Sequence, residues 1–107
     1  MIYSGGYVPK KSVKVKPKRK RIEFSFYSPN ASEVFLAGDF NEWNIKKHSM
    51  KKNQNGLWQK IVMLYPGKYE YKFLVDGKWE QDPNNDWKCR NCFGTHNNII
   101  SVLPKNE

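Results

Sequence analysis

The sequence predicts an all-β protein, built as a sandwich of short antiparallel strands. Three observations support this fold class. Short stretches alternate apolar and polar side chains, as a strand with one buried face does. Turn-forming residues separate these stretches, and no stretch repeats its apolar residues with a helical period. At 107 residues the chain is long enough for one domain with a modest core.

The first two predicted strands precede a loop that contains two aromatic residues. Ile22 to Ser28 places three apolar side chains on one face, and Pro29-Asn30 ends the strand as a turn. Glu33 to Ala37 is short and apolar, as expected of a strand that is covered on both faces. Gly38 to Asn44 (GDFNEWN) is rich in turn formers, and Phe40 is expected to tuck beneath this loop.

The central predicted element is the hairpin from Tyr69 to Trp79. Alternate residues of its first strand form a core face, whereas Lys72 points to the opposite face. Asp76-Gly77 supplies the tight turn, because glycine accepts a positive φ and aspartate tolerates one. Trp79 follows just past this turn. The predicted core face consists of Tyr69, Tyr71, Phe73 and Val75.

Two further strands complete the prediction, Leu57 to Leu64 before the hairpin and Asn97 to Leu103 after it. Lys46 to Asn55 is expected to be a polar connector, and Gln81 to His96 a long, flexible polar loop. Six or more short strands with turns between them favour an immunoglobulin-like antiparallel β-sandwich. An antibody-type domain is excluded, because the Cys…Trp…Cys framework is missing.

The positive charge is concentrated near the N-terminus. Eight of the nineteen basic residues lie between Lys10 and Arg21, whereas the rest of the chain carries eleven basic and ten acidic side chains. We therefore predict a basic, flexible tail over residues 1–21 and a nearly neutral domain over residues 22–107. Such a tail either solvates the chain or binds nucleic acid or an acidic partner.

The hydropathy of the chain argues against a membrane or secreted protein. No apolar run approaches the ~20 residues that are needed to span a bilayer. The basic N-terminus lacks a following apolar segment and a cleavage site, so no secretory signal is predicted. These observations predict a cytoplasmic protein without a membrane partner.

Residues suited to catalysis or metal binding do not form a recognisable site. Cys89 and Cys92 form one CRNC motif, and with only His96 nearby a four-ligand zinc site is incomplete. The stretch from Asp82 to Asp86 begins like a calcium loop, but it lacks the glycine and the terminal glutamate of that motif. Nothing pairs two carboxyl groups as a glycosidase needs. We predict no enzymatic activity, no metal and no cofactor.

The four tryptophans are the candidate binding residues. Trp58 lies within an apolar strand and is predicted to belong to the core, whereas Trp43, Trp79 and Trp87 lie in or beside polar turns. An exposed indole ring stacks on the apolar face of glucose, while nearby lysine, asparagine and threonine bond the hydroxyls. The same rings could stack nucleobases, but the basic charge is in the tail rather than beside the aromatics.

Three motifs together resemble a known family. They are AGDFNEWN (37–44), PGKYEYKFLVDGKWEQDP (66–83) and FGTHNNIISV (93–102), in this order. They resemble the glycogen-binding domain of the AMP-activated protein kinase β subunit. The wider group is carbohydrate-binding module family 48, which includes the isoamylase N-terminal-like domain of branching enzymes and isoamylases. The resemblance covers Arg21 to Leu103 and implies a β-sandwich that binds glycogen or starch-like α-1,4-glucans without catalysis.

The resemblance also implies a set of carbohydrate-binding residues. The two stacking tryptophans of the family fall on Trp43 and Trp79. The family's leucine that enters the curve of the glucan falls on Phe93, a departure in which a flat ring replaces a branched aliphatic side chain. The remaining sugar-bonding residues of the family fall on Lys72, Thr95 and Asn97.

Three functional hypotheses remain open from the sequence. The first is a non-catalytic module that recognises glycogen or α-glucan oligosaccharides and brings a glucan-metabolising enzyme or kinase partner to them. The second is binding of nucleic acid or an acidic partner through the basic tail, and the placement of charge disfavours nucleic acid. The third is a protein-interaction domain of a glucan-metabolising enzyme with vestigial sugar binding.

Overall fold

The structure, a computed structural model, describes residues 18–104. Most of the predicted basic tail, residues 1–17, lies outside the described part of the chain. No helix within residues 18–104 has the length and apolar character that crossing a bilayer requires. In chain order the strands are β1 (Lys20–Tyr27), β2 (Val34–Gly38), β3 (Lys51–Lys52), β4 (Leu57–Leu64), β5 (Gly67–Val75), β6 (Lys78–Glu80), β7 (Lys88–Arg90) and β8 (His96–Val102).

The strands form two antiparallel sheets. The smaller sheet has the order β1-β4-β3, and its long pair runs in register from Lys20 opposite Leu64 to Tyr27 opposite Leu57. The larger sheet has the order β2-β5-β8-β7, and β6 also pairs with β5 through the hairpin turn. The long strand β5 is therefore the centre of the larger sheet, because β2, β6 and β8 all pair with it.

Aromatic side chains from both sheets meet in the core. The ring of Phe24 on β1 lies 5.0 Å from that of Tyr71 on β5 in an edge-on contact. Phe26 and Phe73 make the next contact between the same strands, also at 5.0 Å. Edge-on and tilted contacts of this kind stabilise beyond the apolar area that they bury. The contacts join the inner faces of the two sheets, which makes the fold a β-sandwich.

The predicted all-β sandwich is confirmed, and the strand on Leu57–Leu64 has the predicted bounds. Phe40 packs against the core as expected, and its ring lies 5.4 Å from that of Phe24. Trp58 is buried, and its indole N–H donates to the carbonyl oxygen of Ser28 at 2.8 Å. That bond gives a hydrogen-bond partner to the indole N–H, which burial removes from water.

Two short strands were missing from the prediction. The expected connector contains β3, and the expected long loop contains β7. Both consist mainly of charged residues, so neither alternates apolar and polar side chains over the distance that makes a strand recognisable. β7 exists because its backbone pairs with β8, from Lys88 opposite Asn98 to Arg90 opposite His96. Such pairing is a long-range property that local sequence does not reveal.

Asn98 fixes the loop that joins β6 to β7, which we had expected to be flexible. Its side chain is fully buried and accepts a hydrogen bond from the Asp82 N–H at 2.6 Å. It also donates to the carbonyl oxygen of Asn85 at 2.8 Å. The Tyr71 hydroxyl donates to the Asp82 carboxylate at 2.7 Å, so the loop is held from below by buried polar groups. Satisfied polar networks of this kind specify one conformation.

Candidate functional site

A cleft of about 860 Å³ lies on the outer face of the larger sheet. Strands β5, β6 and β8 contribute its floor, and the loops that follow β2 and β7 form its rims. Four of its lining residues are not among the predicted carbohydrate-binding residues: Glu70, Arg90, Asn91 and Cys92. All six residues that the resemblance implies line it together: Trp43, Lys72, Trp79, Phe93, Thr95 and Asn97.

Trp43 lies on the rim of the cleft, in a loop that has a strained backbone and is held by hydrogen bonds. Glu42 and Trp43 both have positive φ values, 57° and 60°, which residues other than glycine rarely adopt. The Trp43 N–H donates to the carbonyl oxygen of Gly38 at 2.9 Å, and the indole N–H donates to Asp39 at 3.1 Å. The other oxygen of Asp39 accepts from the backbone N–H of Glu70 at 2.8 Å. This carboxylate therefore ties the tryptophan loop to the central strand.

A close approach of two backbones explains why the loop begins with Gly38. A β-carbon at this position would lie 2.5 Å from the carbonyl oxygen of Glu70 and 2.8 Å from the ring of Phe40. Only glycine lets the chain leave β2 so close to β5. The glycine at the start of the predicted turn-forming loop is thus required for steric reasons.

Trp79 lies beside Trp43 in the cleft, on strand β6 of the β5–β6 hairpin. Asp76 and Gly77 form its turn with positive φ values of 48° and 83°, as the sequence predicted. The indole of Trp79 is 48% exposed, which is unusual for so large an apolar side chain. Its ring centroid lies 6.4 Å from that of Trp43, with 65° between the ring planes. Two indoles at this angle offer a bent apolar surface rather than a flat one.

Lys72 lies in the floor of the cleft, on the outer face of β5. It is only 7% exposed, although lysine is among the residues least often buried. Its ammonium donates to the hydroxyl of Thr95 at 3.1 Å. An ammonium carries three N–H donors. Within the described residues, this is the one hydrogen bond that the Lys72 ammonium makes to a side chain, so it keeps further N–H donors for a ligand.

The β7–β8 loop supplies the remaining wall. Phe93 projects from it with 86% of its surface exposed, the largest exposure among the bulky apolar residues of the described segment 18–104. Asn97 is buried at the base of the loop, and its amide donates to the carboxylate of Glu70 at 2.9 Å. Thr95 is exposed between them. A projecting ring above a buried amide gives this wall both an apolar edge and polar contacts.

The lining carries charges of both signs. Lys72 and Arg90 contribute the cations, and Glu70 contributes a carboxylate. Cys89 lies beside this carboxylate, and burial, together with a hydrogen bond and repulsion from Glu70, raises the pKa of its thiol. The cleft therefore lacks the continuous basic track that nucleic-acid binding needs.

The cleft offers stacking surfaces and hydrogen bonds rather than reacting groups. Glu70 is the carboxylate of the lining, and it has no second carboxylate beside it there to act as an acid–base partner. Within residues 18–104 no three His, Cys, Asp or Glu side chains gather where they could hold a metal ion. Cys89 and Cys92 carry free thiols.

One of the residues that the sequence analysis missed had a recognisable local signal. Asn91 stands three residues before Gly94, and Asn53 stands three residues before Gly56. In both segments the asparagine side-chain oxygen accepts backbone N–H groups two and four residues later. The Asn-x-x-Gly pattern thus marks two loops with the same hydrogen-bonding pattern, and one of them forms the cleft wall. For Glu70, the one feature of the sequence that indicated a place in the cleft was its position on the outer face of β5.

Many known proteins are similar in sequence to this chain, among them two plant proteins and a kinase subunit. The chloroplastic protein PTST homolog 2 of Arabidopsis thaliana is 54% identical over 51% of this chain and 10% of its own length. The chloroplastic protein FLOURY ENDOSPERM 6 of Oryza sativa is 38% identical over 77% of this chain and 15% of its own. The human 5'-AMP-activated protein kinase subunit beta-2 is 37% identical over 71% of this chain and 27% of its own.

The chain spans about a tenth to a quarter of the length of these relatives. The family model described as the glycogen recognition site of AMP-activated protein kinase matches residues 21–107. This match covers the whole sandwich and both rims of the cleft, and it agrees with the resemblance that the three motifs indicated. The chain therefore belongs to the family of glycogen recognition domains of AMP-activated protein kinase.

Proposed function

We propose that this chain is a non-catalytic module that binds glycogen and starch-like α-1,4-glucans in the cleft. The observation that carries the proposal is the pair of indoles, Trp43 and Trp79, set at an angle above a buried lysine. A helical α-glucan presents successive glucose rings along a curve, and each ring has an apolar C–H face. Two rings that meet at an angle match such a curve better than one flat surface.

The six predicted binding residues among those that line the cleft have separate roles in this proposal. Trp43 and Trp79 stack on adjacent glucose rings, and Phe93 packs against the inner side of the glucan curve. A phenyl ring there adds a stacking surface that a branched aliphatic side chain lacks. The donors that bond sugar oxygens are Lys72, Thr95 and Asn97.

The proposal extends to the setting of the module. We infer that the chain performs no catalysis itself and brings a glucan-metabolising enzyme or a kinase to its glucan. Membership of a family named after a kinase subunit supports a kinase partner. A cytoplasmic location remains our expectation. Two plant relatives are chloroplastic by name, so imaging of the full-length protein in its own cells is the measurement that assigns the compartment.

Calorimetric titration with maltoheptaose and β-cyclodextrin, together with glycogen pull-down, tests the function. We expect saturable binding of both oligosaccharides and retention on glycogen. Absence of binding to all three would overturn the proposal. Cellulose-derived cellohexaose is the control ligand, because its β-linked chain is straight and cannot follow the angle between the indoles.

Salt separates glucan binding from charge-driven binding through the N-terminal segment. Stacking and uncharged hydroxyl contacts should persist as the salt concentration rises, whereas binding of nucleic acid should weaken steeply. Deletion of residues 1–17 retains all of the described strands, β1 to β8. We expect the shortened chain to keep its affinity for maltoheptaose, and loss of that affinity would place the glucan contacts outside the cleft.

A further inference from the structure

We propose that Asn91 is a positioning residue for glucan binding, which shapes the β7–β8 loop and turns the Thr95 hydroxyl proton towards the ligand. This inference rests on the proposed function. Asn91 makes more hydrogen bonds to the six predicted binding residues than any of those six makes to another of them. Asn91 bonds three of the six: Phe93, Thr95 and Asn97.

The side-chain oxygen of Asn91 holds the backbone of the loop. It accepts hydrogen bonds from the N–H of Phe93 at 3.0 Å and from the N–H of Thr95 at 3.1 Å. The backbone N–H of Asn91 donates to the Thr95 carbonyl oxygen at 2.8 Å, and Gly94 closes the turn with a positive φ of 84°. One carboxamide oxygen thus determines where Phe93 projects.

The side-chain nitrogen of Asn91 acts on the polar contacts. It donates to the Thr95 hydroxyl oxygen at 2.8 Å and to the side-chain oxygen of Asn97 at 2.9 Å. These two bonds use both N–H groups of the amide. Asn91 therefore uses both of its N–H donors to orient Thr95 and Asn97, although it also lines the cleft.

The bonds at Thr95 decide which way its proton points. The hydroxyl oxygen accepts from Asn91 and also from the Lys72 ammonium at 3.1 Å. A hydroxyl has two acceptor lone pairs and one proton. Both lone pairs are occupied by donors, so the proton points away from them and into the cleft. Thr95 consequently meets a ligand as a donor.

Asn97 is oriented in the same way. Its oxygen accepts from Asn91 and its nitrogen donates to the carboxylate of Glu70, which fixes the amide against rotation by a half turn. One N–H of Asn97 is left over. Thr95, Asn97 and Lys72 thus all present N–H or O–H donors, whereas Glu70 is the acceptor of the lining. The three donor side chains are therefore complementary to ligand oxygens that accept, as the ring, linking and hydroxyl oxygens of a glucan do.

Asn91→Asp separates the two functions of the side chain. Aspartate has nearly the same shape and keeps an oxygen for the two backbone N–H groups, so the loop is expected to stay folded. It cannot donate to Thr95 or Asn97. Its carboxylate instead accepts the Thr95 proton and draws it away from the ligand.

We expect Asn91→Asp to bind maltoheptaose about tenfold more weakly, as loss of one oriented hydrogen bond implies. The thermal unfolding midpoint should stay close to that of the wild type. Asn53→Asp is the matched control, because Asn53 holds the turn before β4 with the same pair of backbone bonds on the other sheet. That control should bind normally.

A double-mutant cycle distinguishes positioning from direct contact. In a Thr95→Val background the Thr95 hydroxyl is gone, so Asn91→Asp should cause little further loss of affinity. Full additivity of the two losses would mean that Asn91 does not act through the Thr95 hydroxyl and would overturn the inference. Unchanged affinity of Asn91→Asp would overturn it as well. Failure of the wild type to bind any α-glucan would instead refute the proposed function.

Discussion

The indole rings of Trp43 and Trp79 meet edge to face in the cleft, with their centroids 6.4 Å apart. Neither ring belongs to the core, since one lies on a loop after β2 and the other on the short strand β6. Their contact keeps each ring in place before a ligand arrives. We therefore expect the two tryptophans to act as one preorganised surface rather than as two independent contacts.

Replacement of Trp79 by alanine should cost about 1–3 kcal/mol of binding free energy, by analogy with single stacking contacts to nucleobases. Trp43→Ala should cost a similar amount, and the double variant should cost less than the sum of the two, because each loss also releases the other ring. Calorimetric titration with maltoheptaose measures all three.

Trp87→Ala is the matched control for this prediction. Trp87 is 44% exposed, close to the value for Trp79, but it lies outside the cleft with the Lys68 ammonium 5.3 Å from its ring centroid. Loss of affinity from Trp87→Ala equal to that from Trp79→Ala would contradict the assignment of the cleft.

Sequence patterns anticipated the parts of the fold that depend on local chemistry. The alternation from Tyr69 to Val75 identified the core face of β5, and Asp76-Gly77 identified its turn. The burial of Lys72 was not foreseen. It results from a loop that begins near Asn91 and folds over β5, so it depends on tertiary contacts that strand alternation does not contain.

The same limit applies to the contacts that join the rims of the cleft. The sequence placed Trp43 in a polar loop, but it gave no sign that Asp39 bonds both the indole of Trp43 and the backbone of Glu70. A carboxylate in a turn has many possible partners, and only the pairing of β2 with β5 selects these two. The departure at Phe93 was visible in the sequence, whereas its outward projection was not.

Alkylation of Cys92 should block the cleft. Cys92 is exposed and lines the cleft beside Phe93, so a maleimide adduct there would occupy ligand space. Cys89 is half-buried, and burial and Glu70 raise the pKa of its thiol, which leaves less of the reactive thiolate. We expect rapid modification at Cys92, loss of maltoheptaose binding, and slower labelling when maltoheptaose is present.

Cys92→Ser provides the control for the alkylation experiment. This variant should bind maltoheptaose normally and should keep its affinity after maleimide treatment. Mass spectrometry of peptides identifies which thiol reacted. Normal binding by a protein that is fully modified at Cys92 would show that the ligand does not use this part of the cleft.

Acid should destabilise the loop that carries Trp43. The side-chain nitrogen of Asn41, which is buried, lies 2.7 Å from Nδ1 of His48, and it also donates to the carbonyl oxygen of Leu36. Nδ1 of His48 therefore accepts a hydrogen bond from the Asn41 amide and carries no proton. Burial, and then repulsion from Lys60 and Lys47, lowers the pKa of His48 below its ordinary value of 6.5.

The direction of the pH effect follows from this lowered pKa. Between the folded pKa and 6.5, the unfolded chain holds the proton and the folded chain does not. The free energy of unfolding is therefore complete above that window and falls as the pH drops through it. Urea unfolding from neutral pH down to about pH 5 measures the loss. In His48→Gln this part of the pH dependence should disappear, and its persistence would exclude His48 as the cause.

Asp76 joins the hairpin turn of β5–β6 to the start of β2. Its carboxylate accepts from the backbone N–H of Ser32, at 2.9 Å, and from that of Glu33, also at 2.9 Å. The backbone N–H of Asp76 donates back to the carbonyl oxygen of Glu33 at 3.0 Å. The residue also carries a φ of 48°, a conformation that aspartate and asparagine accept more readily than most side chains.

Asp76→Ala and Asp76→Asn should therefore differ in stability. Alanine loses both side-chain acceptor bonds and strains the backbone, so we expect the free energy of unfolding to fall by about 2–3 kcal/mol. Asparagine tolerates the positive φ and keeps one acceptor oxygen, so the loss should be about 1 kcal/mol. Urea unfolding measures both. Equal stability of the two variants would mean that neither the backbone conformation nor the remaining acceptor contributes, and the turn would then owe its shape to Gly77 alone.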